Sequence, residues 1–199
     1  MHLTGYVLAG GKSSRMGRDK GLLEIDGDTL LRRAVTALKS VANRVKVVGD
    51  HPHLSVYGEV VRDVHKDCGP LGGIEAALSD TDTEWNLILA VDQFRVPIGL
   101  LRLLIARAGA CGPECLAVVP QVTDRPEPLC AVYRKAFGPV ASAAIERAEY
   151  KIGKLFPAAH ALILPPHEVA EAGVDASDWL NVNTPDDFET ALQRARTAE

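Results

Sequence analysis

Apolar positions along the chain follow two periodicities that alternate from the first residues onward. Short runs at 3–9, 45–48, 59–63, 86–91, 116–120 and 160–164 read as strands. Between them, Leu30, Leu31, Ala34, Val35, Leu38 and Val41 recur at helical spacing, as do Ile98, Leu101, Leu104 and Ile105 within 97–108. Residues 136–150 are alanine-rich and helical in character. Strand, helix and strand in succession predict an α/β fold with a mostly parallel central sheet and helices on both faces. The stretch from Asn86 to Val91 is the most apolar run and suits a central strand buried on both sides.

Punctuation residues place the element ends. Asp28 stands before the first helical stripe, after a short extended segment and turn over 21–27. Pro70 suits the first turn of a helix that carries Ile74, Ala77 and Leu78 inward. Thr184 as N-cap, Pro185 at the first helical position and Asp187 two residues on form a helix start.

Four stretches carry more than architecture requires. The first is Leu8-Ala-Gly-Gly-Lys-Ser-Ser-Arg-Met-Gly-Arg-Asp-Lys20. Glycines 10, 11 and 17 are expected to turn with positive φ and to bring backbone N–H groups close to phosphate oxygens, beside the charges of Arg15, Arg18 and Lys20. Neither G-x-x-x-x-G-K-[ST] nor G-x-G-x-x-G occurs, so the loop is of another kind. A connecting turn needs about two to six residues, and this one spends about ten.

The second stretch is Asp63-Val-His-Lys-Asp-Cys-Gly-Pro-Leu-Gly-Gly-Ile74. Gly72 and Gly73 lie inside the predicted helix, where each costs roughly 1 kcal/mol against alanine. Close approach of a ligand, or of another backbone, is expected to offset that cost. The third is Val91-Asp-Gln-Phe-Arg95, where Asp92 ends the central strand. Ligands gather at the carboxyl ends of strands in open parallel sheets, and Mg²⁺ is typically held by one or two carboxylates plus phosphate oxygens. The fourth is Leu180-Asn-Val-Asn-Thr-Pro-Asp-Asp-Phe188. A helix cap explains its Thr-Pro-Asp-Asp, and alternation on a strand would put Asn181 and Asn183 on one face, open to a ligand.

These stretches, with Pro128-Leu-Cys-Ala-Val-Tyr133, resemble in order the motifs of the molybdenum cofactor guanylyltransferases. These are nucleotidyltransferases with a Rossmann-like fold, and the likeness runs the length of the chain. It implies one nucleotidyltransferase domain over 1–199. The implied reaction transfers GMP from GTP to the phosphate of molybdopterin or its molybdenum form, giving a guanine dinucleotide and pyrophosphate. By resemblance Leu8, Ala9, Gly10 and Gly11 meet the nucleotide, Asp63 lies near guanine or ribose, and Asn181 and Asn183 face a ligand. Lys20 and Arg15 would stabilise the leaving pyrophosphate, and Asp92 would hold Mg²⁺. Gly49 stands where some relatives place an Asn after the second strand, and Phe94 where a proline usually follows the metal-binding carboxylate. The latter departure leaves Asp92 intact and bears on the path of the loop after it. Lys151 and Lys154 fit the family's basic residues near the pterin phosphate, though two lysines at a helix end are more often a solvated C-terminal turn. L-A-G-G, against L-A-A-G in cytidylyltransferase relatives, favours guanine. A CTP-dependent enzyme of the same fold, or a nucleotide-binding adaptor without turnover, are the other readings.

Composition narrows this further. With 47% hydrophobic residues and a net charge of −4, the chain has a globular balance and none of the basic excess of a nucleic-acid binder. No opening segment reads as a targeting signal and no apolar run approaches a membrane span, which predicts a cytoplasmic protein. Cys68, Cys111, Cys115 and Cys130 include no C-x-x-C and are expected as reduced interior thiols. His51-Pro-His53 is expected as a solvated loop. Other molybdenum cofactor proteins and the chaperones of target enzymes are the protein partners that the resemblance implies.

Overall fold

A computed structural model describes residues 1–10, 19–63, 65 and 67–197. The strand β1 (Leu3–Leu8) lies between β4 (Arg44–Val48) and β6 (Trp85–Ala90), parallel to both. Beyond β4 runs β5 (Glu59–Val61), and beyond β6 follow β8 (Cys130–Arg134), β7 (Ala117–Pro120) and β9 (Leu162–Leu164). The order is β5-β4-β1-β6-β8-β7-β9, and β8 is antiparallel to both of its neighbours. The sheet is mostly parallel, as expected, with β8 its inverted strand. A period of two shows which face a residue takes and is silent about strand direction. A separate small hairpin, β2 (Glu24–Ile25) and β3 (Asp28–Thr29), occupies the predicted extended segment and turn.

The helices are α1 (Leu30–Lys39), α2 (Pro70–Asp80), α3 (Ile98–Ala110), α4 (Phe137–Glu146), α5 (Pro166–Glu171) and α6 (Pro185–Arg196). Alternation along the central strands sorts them into two layers. Leu3 and Val7 of β1, with Leu87 and Leu89 of β6, pack against α1, α3, α5 and α6. Tyr6 and Leu8, with Ile88, pack on the other face against α2 and α4. Both faces of β1 and β6 are thus buried, as continuous apolar runs require.

Two boundaries differ from expectation. The N-cap of α1 is Thr29, the residue after Asp28, and its side chain accepts from Arg32 N at 3.1 Å. The helix α5 was not foreseen, for it is short and buries only Val169.

Cys111 and Cys115 correct the expectation of four reduced thiols. The chain turns after α3 and brings their Cα atoms to 5.9 Å, within the disulfide range, and the two are bonded. Cys68 and Cys130 are buried as expected. Among the described residues no helix is long and apolar enough to cross a membrane.

Candidate functional site

The strand order reverses at β1, and the ends of β4, β1 and β6 open there into one cleft of about 680 Å³. Backbone bonds hold its floor. Ala9 N donates to the Val48 carbonyl at 2.9 Å, Gly49 N to Val61 at 3.0 Å and Val91 N to Leu8 at 3.1 Å. Leu8, Ala9, Gly10, Lys20, Gly49, Asp63 and Asp92 all line this cleft, so most sequence-predicted positions converge. Gly11 and Arg15 lie outside the described residues.

Lys20 opens a one-turn 3-10 helix, Lys20–Leu22, whose cap is Asp19: its Oδ1 accepts from Gly21 N at 2.9 Å. The same Asp19 places Oδ2 3.0 Å from His53 Nε2, and the His51 and His53 rings stack at 5.4 Å. His51 is exposed, as expected of a solvated loop, while His53 is only partly so and makes a contact the spacing did not announce. It joins the segment after β4 to the end of the signature loop. Asp19 stood inside the signature stretch, but its spacing gave no hint that its partner would come from the second crossover.

The Lys20 ammonium reaches two groups from distant segments. Nζ lies 3.5 Å from Asp92 Oδ2 and donates to Asn183 Oδ1 at 2.6 Å. Burial pushes the Asp92 carboxyl above the ordinary aspartate range, and the Lys20 charge draws it part of the way back. Asp63, also raised by burial, is held by His65 N donating to its Oδ1 at 3.0 Å. Among the described residues no group of three or more His, Cys, Asp or Glu side chains gathers as a metal cluster. Asp92 is the carboxylate at the strand end, which suits a cation completed by phosphate oxygens.

The glycines divide by cause. Gly10 is exposed at the cleft without a positive φ, which corrects that expectation. Among the described residues a Cβ there would meet Gly49 Cα at 3.8 Å, an ordinary contact, so none of them demands glycine. Gly72 is the opposite case. A Cβ would come within 2.9 Å of the His65 carbonyl and 3.1 Å of Asp63 Oδ1, so the backbone of the Asp63 turn sits where a side chain would be. Gly49 faces Leu54 at 2.6 Å from a Cβ position, which leaves no room for a longer side chain in its present setting.

The segment carrying Asn181 and Asn183 forms a bridge, Gln93 to Asn181, in place of the expected strand. Phe94 N donates to the Leu180 carbonyl at 3.1 Å and Val182 N to the Asp92 carbonyl at 2.8 Å. The C-terminal motif therefore braces the Asp92 loop from its backbone. Asn183 N donates to Asp187 Oδ2 at 2.9 Å, within the capping box that starts α6. Phe94 is 3% exposed and packs in the core, with the Arg95 guanidinium 5.0 Å above its ring. Lys151 and Lys154 are exposed and line no part of this cleft. Glu127 and Trp179 come from two separate segments without a sequence signal, and Glu127 feels the Asp92 charge.

The MobA-like NTP transferase domain matches residues 5–161, ending before the segment that braces Asp92. Two curated proteins, each named "Probable molybdenum cofactor guanylyltransferase", extend the likeness beyond it. That of Flavobacterium johnsoniae is 31% identical, over 94% of this chain and 94% of its own. That of Carboxydothermus hydrogenoformans is 32% identical, over 96% of each. Among solved structures, the molybdopterin-guanine dinucleotide biosynthesis protein A of Archaeoglobus fulgidus superposes with a TM-score of 0.81 at 25% identity, covering 98% of this chain and 99% of its own. With the fold, the cleft and these likenesses in agreement, the chain belongs to the MobA-like nucleotidyltransferase family.

Proposed function

We propose that the protein transfers GMP from GTP to the phosphate of molybdopterin or its molybdenum-bearing form. A phosphate oxygen of the acceptor attacks the α-phosphorus, the bond from that phosphorus to the bridging oxygen breaks, and pyrophosphate leaves. The observation that carries this reading is the meeting of Lys20, Asp92 and Asn183 at the nucleotide cleft, in a chain that matches guanylyltransferases along nearly its whole length.

The nucleophile is already an anion, so the protein has little proton transfer to perform. Its work is to position two phosphates in line and to offset the charge that develops between them. Leu8, Ala9, Gly10 and Gly11 hold the nucleoside, and Asp63 accepts from the N–H edge of guanine. At Gly49 only backbone is on offer. Lys20 gives its charge to the phosphates, joined by Arg15. Asp92 fits Mg²⁺, since burial makes its carboxylate costly without added positive charge; the ion, held by Asp92 and nucleotide oxygens, would supply Lewis-acid charge at the reacting phosphates. Asn183 fixes the Lys20 ammonium, and Asn181 faces the acceptor.

Incubation of the purified protein with GTP, Mg²⁺ and molybdopterin tests the reading. The expected product has the mass of the acceptor plus GMP and appears with one pyrophosphate. A product carrying CMP when CTP is supplied, and none with GTP, would overturn it.

A further inference from the structure

His53 and Asp19 come from separate segments and meet at two atoms that have no other counterpart. Asp19 Oδ2 and His53 Nε2 lie 3.0 Å apart, off the line of a good hydrogen bond. Both atoms are buried, and among the described residues neither has a hydrogen-bond partner. Leaving a buried polar atom unmatched is costly, so each serves as the other's counterpart. The contact requires a proton on Nε2, because two lone pairs at that distance repel. The neutral tautomer with Nε2–H and the imidazolium both meet this requirement.

The two ends of this contact differ in what holds them. The 3-10 turn that carries His53, Pro52–Val56, is anchored without the imidazole. Leu54 is fully buried and tight against Gly49, Tyr57 N donates to the Leu54 carbonyl at 3.0 Å, and Thr29 Oγ1 donates to the Tyr57 hydroxyl at 3.2 Å. Asp19, by contrast, caps a single turn, Lys20–Leu22, through Oδ1, which accepts from Gly21 N at 2.9 Å. One turn has few backbone bonds of its own, so its cap sets much of its geometry. A carboxylate held at one oxygen can still swing about that bond, whereas one held at both is fixed in plane and direction. His53 is the second hold. Asp19 lines the nucleotide cleft, and His53 is not among the described residues that do.

We propose that His53 is a positioning residue for guanylyl transfer: by fixing the second oxygen of Asp19 it sets the turn from which Lys20 reaches the reacting phosphates. This rests on the guanylyl-transfer reading above. Lys20 begins the turn that Asp19 caps, and from there its ammonium meets Asp92 at 3.5 Å and Asn183 at 2.6 Å. Misplacing a catalytic group by about 1 Å can lower the rate about a hundredfold, and releasing one of two holds on a cap is a smaller error, of about tenfold. The loss falls on kcat, because Lys20 acts on charge that develops as pyrophosphate leaves. His53 acts at one remove, with no contact to either substrate.

Kinetics of four variants with GTP, Mg²⁺ and molybdopterin test this. His53→Ala is expected to lower kcat about tenfold while the KM for GTP stays within about threefold. His53→Gln carries an amide N–H to about the place of Nε2–H, and its kcat should return to within about threefold of the unsubstituted value. Asp19→Ser keeps an oxygen for Gly21 N, since serine caps about as well as aspartate, and loses the one that faces His53; its kcat should fall about tenfold, like that of His53→Ala. In a protein that already carries Lys20→Ala, His53→Ala should change kcat by no more than about twofold, because the group it aims is gone. Unchanged kcat in His53→Ala or in Asp19→Ser, a loss in His53→Gln as large as in His53→Ala, or a further fall of about tenfold in the Lys20→Ala protein would overturn the positioning role alone. Absence of any guanine dinucleotide from the unsubstituted protein would overturn the guanylyl-transfer reading, and the positioning role with it.

Discussion

Lys20 Nζ donates to Asn183 Oδ1 at 2.6 Å across 163 positions of sequence. The first residue closes the signature loop and the second precedes α6, so the start and the end of the chain meet at one ammonium group. Asn183 is itself fixed through its N–H to Asp187. On this account Lys20→Ala lowers kcat about a hundredfold or more, as loss of a transition-state charge does. Asn183→Ala leaves the charge and loosens its aim, for a fall of about tenfold. Steady-state kinetics of both variants with GTP check the order. Equal losses would remove the distinction between charge and positioning.

Gly10 separates a ligand's demand from the fold's. Because a Cβ there would make only ordinary contacts with the described residues, Gly10→Ala should melt within about a degree of the unsubstituted protein. Its added methyl group lies at the cleft, where crowding a bound base costs about 1–3 kcal/mol, so GTP affinity should fall about tenfold. Paired melting and titration experiments measure both. A large loss of stability with unchanged GTP binding would contradict the assignment.

Asp63 gives a pH dependence of known sign. Burial raises its folded-state pKa, so its contribution to stability is present in full below the unfolded value, about 3.9, and is lost as pH rises through the folded value. GTP binding runs the other way, because only the carboxylate accepts from guanine. Affinity should weaken as pH falls through the raised pKa, and Asp63→Asn should remove this component. Asp92, also raised by burial, adds a second acid limb that Asp63→Asn leaves in place. Titrations of GTP across the acid range would show both.

Much of this was legible from residue order, and the reasons are physical. β1 and β6 bury both faces and so read as apolar runs, while α1 buries one and reads as a stripe. Asp92 was visible because a buried run stops at it, and the α6 cap because Thr184, Pro185 and Asp187 act within one turn. What stayed hidden depends on pairing between distant segments. The inversion of β8, the His53 to Asp19 contact and the Gln93 to Asn181 bridge leave no local period. Glu127 and Trp179 come from separate loops, and only the fold brings Glu127 within reach of Trp179 and the Asp92 charge.

Phe94, which stands where the resemblance led us to expect a proline, acts through the core. Phe94→Ala opens a cavity in a packed site and should cost about 3–4 kcal/mol, read as a lower urea midpoint. The Asp92 carbonyl keeps its bond from Val182 N, which is backbone to backbone, so saturated turnover should change only a few-fold, by about 1 kcal/mol at most. Loss of turnover with intact stability would show that the ring itself shapes the site.

Calorimetric titration of GTP and, separately, of CTP into the protein with Mg²⁺, repeated on Lys20→Ala, tests the central claim most directly. The expected result is a clear preference for GTP that weakens in the variant. Preference for CTP, or no binding of either nucleotide, would contradict it.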